Sequence, residues 1–202
     1  MQNKILIINI SLRKESQSQK VSQYLLNQIN KKEQNQSKIL NYIDLDLPLW
    51  NQDLAGNKEV LKPIVDKLEE ATGYIFVTPE YNGACSPALN NLCLFLSQES
   101  YHKTVLLVSV SAGRSGSYAI TEARGNTYKN TKLNYIPEHL IIRDVNNVLN
   151  IVMDKDSIQL SEEDKYIRER IIYTLSNFDI YCTYSKLIRN EVSYNSLYTN
   201  GM

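Results

Sequence analysis

The chain has 202 residues, and its 22 lysines and arginines balance 22 aspartates and glutamates. That length suits one well-buried domain, and the absence of net charge leaves no basic footprint for nucleic acid. No apolar run approaches the ~20 residues that span a bilayer, and the chain opens on a strand pattern without the regions of a signal peptide.

Lys4 to Ile10 is almost wholly apolar, the pattern of a strand covered on both faces. A polar turn, Ser11 to Ser18, leads into a helix whose Val21, Tyr24, Leu25, Gln28 and Ile29 fall on one face. A polar break, Lys31 to Lys38, precedes a second strand at Ile39–Ile43 and a loop over residues 44–58. Val60, Ile64 and Leu68 mark another helix, with Pro63 tolerable only in its first turn. Tyr74–Val77 reads as a third buried strand, and Pro79, lacking a donor, should end its pairing.

The turn Thr78-Pro79-Glu80-Tyr81-Asn82-Gly83 follows, and Ser86-Pro87 then opens a helix, serine as cap and proline in the first turn. Leu89, Leu92, Cys93 and Leu96 form the inner stripe of that helix. Thr104–Val110 is a fourth strand, ending in the turn Ser111 to Ser117. The next helix has only the thin apolar face of Ala119, Ile120 and Ala123, interrupted at Gly125. His139–Arg143 is the last strand, before a loop from Asp144 to Leu160. The final helix starts at Ser161 with Asp164 in a capping-box pattern, and Ile167, Ile171, Leu175, Phe178 and Cys182 recur along it. Its acidic start reads as a capped helix rather than a catalytic carboxylate pair. The asparagine-, serine- and tyrosine-rich tail over residues 191–202 has no periodicity and is expected to be disordered or to meet a neighbour. The three cysteines, Cys85, Cys93 and Cys182, have no paired spacing, which points to the cytoplasm. His102 and His139 stand apart without a carboxylate cluster, a poor basis for a metal site.

Five strands alternating with helices predict an α/β fold with a parallel, doubly wound sheet, in one domain over residues 1–190. Loops after the first, third and fourth strands then meet at one carboxyl edge, where such sheets bind ligands. The first offers hydroxyls, two cations and a helix N-terminus, all attractive to phosphate; a solvated helix cap accounts for the same residues. It contains no glycine, so neither a P-loop nor a dinucleotide fingerprint applies. The second suits a flat heterocycle such as isoalloxazine, or is an ordinary βα loop with a surface tyrosine. In it Gly83 can take a positive φ and admit a ligand close to the main chain. Glu80 reads better as a surface carboxylate or ion-pair partner than as a proton donor. Cys85, beside a helix N-terminus, is open to a lowered pKa, yet without a histidine neighbour it reads as a small loop residue.

The segments 78–83 and 86–91 resemble the "PEYN(G)…PGALKNA" stretch of the NADPH-dependent FMN reductase family, and Ser11–Ser18 is similar to its "GS(L)RKGS(x)N" loop. Ser111–Ser117 corresponds to its "GG(x)xGG" turn through Gly113 and Gly116. The resemblance covers most of residues 4–185. In this chain Ile10, Glu15 and Ser117 stand where the family carries glycine, Ser86 where it carries proline, and Pro87 where it carries glycine.

The resemblance implies a flavodoxin-like, three-layer α/β/α fold with strand order 2-1-3-4-5. It implies an enzyme that binds FMN and passes hydride from NADPH or NADH to a flavin, quinone or similar small-molecule acceptor, with ping-pong kinetics. Ser11, Arg13, Ser16, Gln17 and Ser18 are carried over to the FMN phosphate. Pro79, Glu80, Tyr81, Asn82 and Gly83 go to the ring, and Ser111, Gly113 and Gly116 to the turn beside it. No side chain is assigned a catalytic role of its own, because the bound flavin carries the hydride chemistry. Arg114 is a candidate contact to an NAD(P)H phosphate. Family members are commonly homodimers or homotetramers, and neither nucleic acid nor membrane insertion is expected. The alternatives are an FMN electron carrier and a flavin-binding protein without catalysis.

Overall fold

A computed structural model describes residues 2–31, 36–54, 57–150 and 160–198. The elements in chain order are β1 (Lys4–Asn9), α1 (Gln17–Asn30), β2 (Gln36–Asn41), α2 (Val65–Glu70) and β3 (Gly73–Tyr81). Next come β4 (Ala84–Cys85), α3 (Pro87–Phe95), β5 (Thr104–Val110), α4 (Ser117–Asn126), β6 (Asn134–Ile142) and α5 (Glu162–Glu191). Five parallel strands pair in the order β2-β1-β3-β5-β6, and the two-residue β4 pairs antiparallel with the end of β3. Without β4 this is the expected order 2-1-3-4-5. β4 is the addition, a short hairpin at the carboxyl edge.

Both faces of the sheet are buried. Leu6, Ile8, Tyr74, Phe76, Val105 and Leu107 point into one apolar cluster, which α3 and α4 close with Leu89, Leu92 and Ala119. Ile5, Ile7, Ile75, Val77, Leu106 and Val108 point into the other, closed by α1 and α5 through Val21, Leu25, Ile171 and Phe178. Alternation along each strand feeds two cores at once, which is why these strands read as continuous apolar runs.

Three local expectations are corrected. Pairing of β3 does not stop at Pro79, which sits in register with Val110 of β5. The Val77 carbonyl accepts the Ile10 N–H on the β1 side. Backbone polarity alternates along a strand, so the missing donor of Pro79 faces that same side, beyond the last pair Asn9–Val77. The ladder loses nothing there. Ser86 stands at the N-cap of α3 with Pro87 at its start, but its side chain caps no helix N–H. Instead its own N–H donates to Thr78 Oγ1 at 3.0 Å, tying α3 to β3. The helix expected around Pro63 is divided: a 3-10 turn covers Lys58–Leu61 and α2 begins at Val65, and Pro63, which has no N–H to donate, lies in the gap between them.

Two strands differ from their expected bounds: β2 runs Gln36–Asn41 where the sequence predicts Ile39–Ile43, and β6 runs Asn134–Ile142 where it predicts His139–Arg143. Ser161 Oγ accepts the Asp164 N–H at 3.1 Å, capping α5. The loop 144–160 falls partly outside the described residues, as does the end of the tail. Within the described tail, Tyr194 packs against Tyr101 with ring centroids 5.3 Å apart.

Lys103, at the start of β5, is fully buried. Its ammonium reaches the Leu68 carbonyl, the Glu69 carbonyl at 2.9 Å, and the face of Tyr74, so it closes the C-terminus of α2. Burial pushes its pKa down to about 7, Arg189 adding to that and Glu99 and Glu69 opposing it. An unfolded chain holds this proton up to the ordinary lysine value of 10.5, so between these values the unfolded state binds more protons. Stability is therefore expected to rise with pH through that window. Urea unfolding at a series of pH values should show the rise in the native protein and a flatter dependence in Lys103→Met.

Candidate functional site

The carboxyl ends of β1, β3 and β5 open onto a cleft of about 830 Å³, within the usual size range of small-molecule sites. Its first wall is the turn after β1. Ser11 is buried and its N–H donates to Asn9 Oδ1 at 3.2 Å, while Ser11 Oγ accepts the Arg13 N–H at 3.2 Å. Asn9 in turn donates to Asn41 Oδ1 at 3.1 Å, and Asn41 to Asp44 at 3.1 Å. A polar chain across β2 and β1 thus sets the turn without a glycine.

Ser16 is the N-cap of α1, its Oγ accepting the Gln19 N–H at 3.1 Å. Gln17 and Ser18 supply first-turn N–H groups that have no acceptor within the helix, and both residues line the cleft. No acidic residue lies in the first turn of α1, so its positive end is unopposed from within the helix. Glu15, just outside that turn, also lines the cleft.

The opposite wall is the end of β3. Pro79 is buried, and Glu80 and Tyr81 are half-buried along the cleft. Asn82 and Gly83 have φ of 52° and 72° and join the antiparallel pair Tyr81–Ala84. Positive φ at both central residues is the geometry Asn-Gly favours in a two-residue hairpin. A Cβ on Gly83 would meet nothing within 4 Å, so this glycine serves the turn and not a close approach. Both turn residues are exposed and stand outside the cleft lining.

Two carboxylates lock the hairpin onto α4. Glu80 Oε2 accepts the Ala119 N–H in the first turn of α4 at 3.4 Å, and Glu122 Oε2 accepts the Cys85 N–H of β4 at 2.6 Å. Glu80 is thus a helix-end anchor rather than an exposed surface charge. The third wall is the turn after β5, where Val110 and Ala112 face the cleft. Ser111 and Gly116 are buried behind them and shape the turn. Ser111 Oγ accepts the Gly113 N–H at 3.2 Å, and the Gly113 and Ser111 carbonyls accept the N–H groups of Asp144 and Val145. Gly116 has φ of 115°, and a Cβ there would lie 2.4 Å from Ile141 Cγ2. Gly113 and Arg114 line a neighbouring cleft with Arg143 and Tyr166 rather than this one.

The turns therefore bring Ser11, Arg13, Ser16, Gln17 and Ser18 to one wall and Pro79, Glu80 and Tyr81 to the other. Arg13 joins them, its guanidinium carbon 5.5 Å from the Tyr81 ring centre, and Ser11 Oγ lies 3.5 Å from the Tyr81 hydroxyl. Sequence reading missed Lys20, Val145 and Asn146, which also line the cleft. Lys20 sits one turn after Ser16, so helical spacing could have indicated it. Its ammonium donates to the carbonyls of Val145 at 2.5 Å and Val148 at 2.9 Å and to Asn150 Oδ1 at 2.8 Å. Burial lowers its pKa and Asp164 opposes that. Asp164 holds the same loop from α5, accepting the Leu149 N–H at 2.9 Å while paired to Arg168.

Cations, hydroxyls and helix N–H groups at one end, with a tyrosine and a proline at the other, fit a phosphate joined to a flat ring. Cys85 does not belong to this chemistry. Burial, then Glu122, pushes its thiol up to about 12, contrary to the lowering that a helix N-terminus suggests. Cys93 and Cys182 are likewise raised by burial. A colorimetric disulfide reagent at pH 8 is expected to leave all three native thiols unreacted over minutes and to titrate all three in guanidinium.

The chain is similar to known proteins in sequence and in fold. The family model described as NADPH-dependent FMN reductase matches residues 3–146. An NADPH azoreductase of a Bacillus species is 26% identical over 141 residues, 69% of this chain and 76% of that protein. A quinone reductase of Pseudomonas putida is 31% identical over 122 residues, 56% of this chain and 62% of its own length. Among solved structures, the flavoenzyme NAD(P)H:(acceptor) oxidoreductase FerB of Paracoccus denitrificans superposes with a TM-score of 0.69 at 18% identity, over 91% of this chain and 98% of its own. An FMN-dependent NADH-azoreductase of Bacillus anthracis gives 0.56 at 17% identity, over 87% and 98%.

Proposed function

The chain belongs to the NADPH-dependent FMN reductase family, and on that footing we propose that the cleft between α1 and the end of β3 is its flavin site and the place where donor and acceptor alternate. It is an oxidoreductase and a flavoprotein of that family, with FMN as cofactor and NAD(P)H as co-substrate. FMN, when bound, takes hydride from NAD(P)H and returns reducing equivalents to a second acceptor. The observation that carries the assignment is the meeting of Arg13, Ser11 and the α1 N-terminus with Tyr81 across one cleft.

The chain's own part is positioning. Ser16, Ser18 and the first N–H groups of α1 receive the phosphate, aided by Arg13. Arg13 lies over the Tyr81 ring, 5.5 Å from its centre, and so borders both the phosphate end and the ring end of the cleft. The hairpin carrying Pro79, Glu80 and Tyr81 is held by α4 and cannot drift as partners exchange, and Asn82 and Gly83 give it its turn. Ser111, Gly113 and Gly116 keep the third wall low, and Arg114 in the adjoining cleft is the candidate for an NAD(P)H phosphate. Glu80, committed to the Ala119 N–H, supplies no proton.

Single-site alternation makes the kinetics ping-pong. The names of the two relatives, an azoreductase and a quinone reductase, support flat aromatic acceptors for this chain too, as does the Tyr81 ring on the cleft wall. The three free cysteines suit a reducing, NAD(P)H-supplied cytoplasm. Among the described residues no helix is long and apolar enough to cross a membrane.

Anaerobic addition of NADPH, and separately NADH, to the FMN-loaded protein tests the reading. Bleaching of the flavin absorbance that an added quinone or azo dye reverses is expected; flavin that binds and stays oxidised would overturn it. Arg13→Ala is expected to weaken FMN binding about 10- to 150-fold, equivalent to ~1.5–3 kcal/mol for a charged hydrogen bond to phosphate. Fluorescence titration measures it, and unchanged affinity would remove Arg13 from the site.

A further inference from the structure

The loop after β6 divides two clefts. Val145 and Asn146 line the proposed flavin cleft, while Val148 lines the neighbouring one with Arg114 and Arg143. The backbone of this loop is costly to hold. Asp144 and Leu149, near its two ends, have φ of 45° and 57°, a region that a bulky side chain such as leucine rarely enters. Such conformations persist where the surrounding structure over-determines them.

Two helices do so here. From α5, Asp164 accepts the Leu149 N–H at 2.9 Å, and Arg168, paired to Asp164, donates to the Asn150 carbonyl at 3.2 Å. From α1, Lys20 donates to the Val145 carbonyl at 2.5 Å, the Val148 carbonyl at 2.9 Å and Asn150 Oδ1 at 2.8 Å. An ammonium has three N–H donors and no acceptor. All three are spent on the loop, so none remains for a phosphate. The three oxygens gather about one point, where their like partial charges repel unless a cation stands between them. Lys20 is that cation, tethered to α1.

We propose that Lys20 is a positioning residue of the flavin cleft: its ammonium sets the Val145–Asn150 loop as a wall for the whole flavin and takes no part in holding the phosphate. The wall it sets is uncharged, since Val145 and Asn146 are the loop residues that reach the cleft. What the loop contributes therefore falls on the flavin whether or not a phosphate is attached. This separates Lys20 from Arg13, although both are cations on the same cleft. The assignment rests on the flavin reading of the cleft, and the test tells the two apart.

Fluorescence titration of the full-length protein with FMN, and separately with riboflavin, the same ring without its phosphate, reads the difference. Lys20→Met, which keeps the bulk of the side chain and removes its charge, is expected to raise both dissociation constants by the same factor, at least about 10-fold. Far-UV circular dichroism should stay unchanged. Arg13→Ala should raise the constant for FMN alone. Lys20→Cys supplies the rescue. The native cysteines are all buried, so 2-bromoethylamine alkylates position 20, the thiolate displacing bromide and rebuilding an ammonium of lysine length. Full modification, checked by mass, is expected to restore affinity for both flavins. Lys20→Met that loses affinity for FMN but not for riboflavin would overturn the proposal and make the lysine a phosphate ligand. Unchanged affinity for both flavins would also overturn it, as would a fully modified Lys20→Cys that still binds weakly. A native chain that binds neither flavin would overturn the flavin reading, and this proposal with it.

Discussion

The backbone at Gly116 passes where no side chain fits. Its φ of 115° and the 2.4 Å approach a Cβ would make to Ile141 allow α4 to begin hard against the end of the sheet. Everything at the ring end of the cleft follows from that position. With α4 seated there, its first turn presents the Ala119 N–H to Glu80, and its second presents the Glu122 carboxylate to the Cys85 N–H. The hairpin after β3 is thereby held at both its strands by one helix. A hairpin of two-residue strands has little stability of its own, so the tertiary lock determines where Tyr81 stands. A flavin chemistry that relies on positioning rather than on a protein acid or base needs such rigidity in its ring-side wall.

At the phosphate end the same economy of charge applies. Arg13, Lys20 and Glu15 line this end of the cleft, yet they do different work. Lys20 is consumed by the carbonyls of the Val145–Asn150 loop, where burial also disfavours its charge. Glu15 partly offsets the remaining positive field. That leaves Arg13 and the α1 terminus as the groups proposed to receive the anion. The loop that Lys20 grips is gripped from the far side by Asp164, itself neutralised by Arg168. The acidic start of α5 is therefore both a helix cap and a structural anchor for a wall of the cleft.

The described part of the C-terminal tail is ordered against the body of the molecule: Tyr194 folds back onto Tyr101, just before β5, while Lys132 lies over both rings.

The order of strands and helices, the apolar runs of β1, β3 and β5, the cap at Ser161 and the identity of the three turns at the carboxyl edge were all legible in the residues. These properties are local: they depend on periodicity, propensity and the chemistry of neighbours in the chain. Family motifs added the order of the sheet and the residues Ser11, Arg13 and Tyr81, which the fold does bring together. What the chain alone could not disclose was long-range pairing. Pro79 continues a strand because its missing donor points past the end of β1, a fact about a neighbour some seventy residues away in sequence. Lys20, which sequence reading passed over, is a loop clamp because Val145 and Val148 come to it. Cys85 is a weak acid because Glu122 and the core surround it. In each case the residue's character was set by a partner that only the folded chain puts within reach, since electrostatics and hydrogen bonding act over a few ångströms of space and not along the sequence.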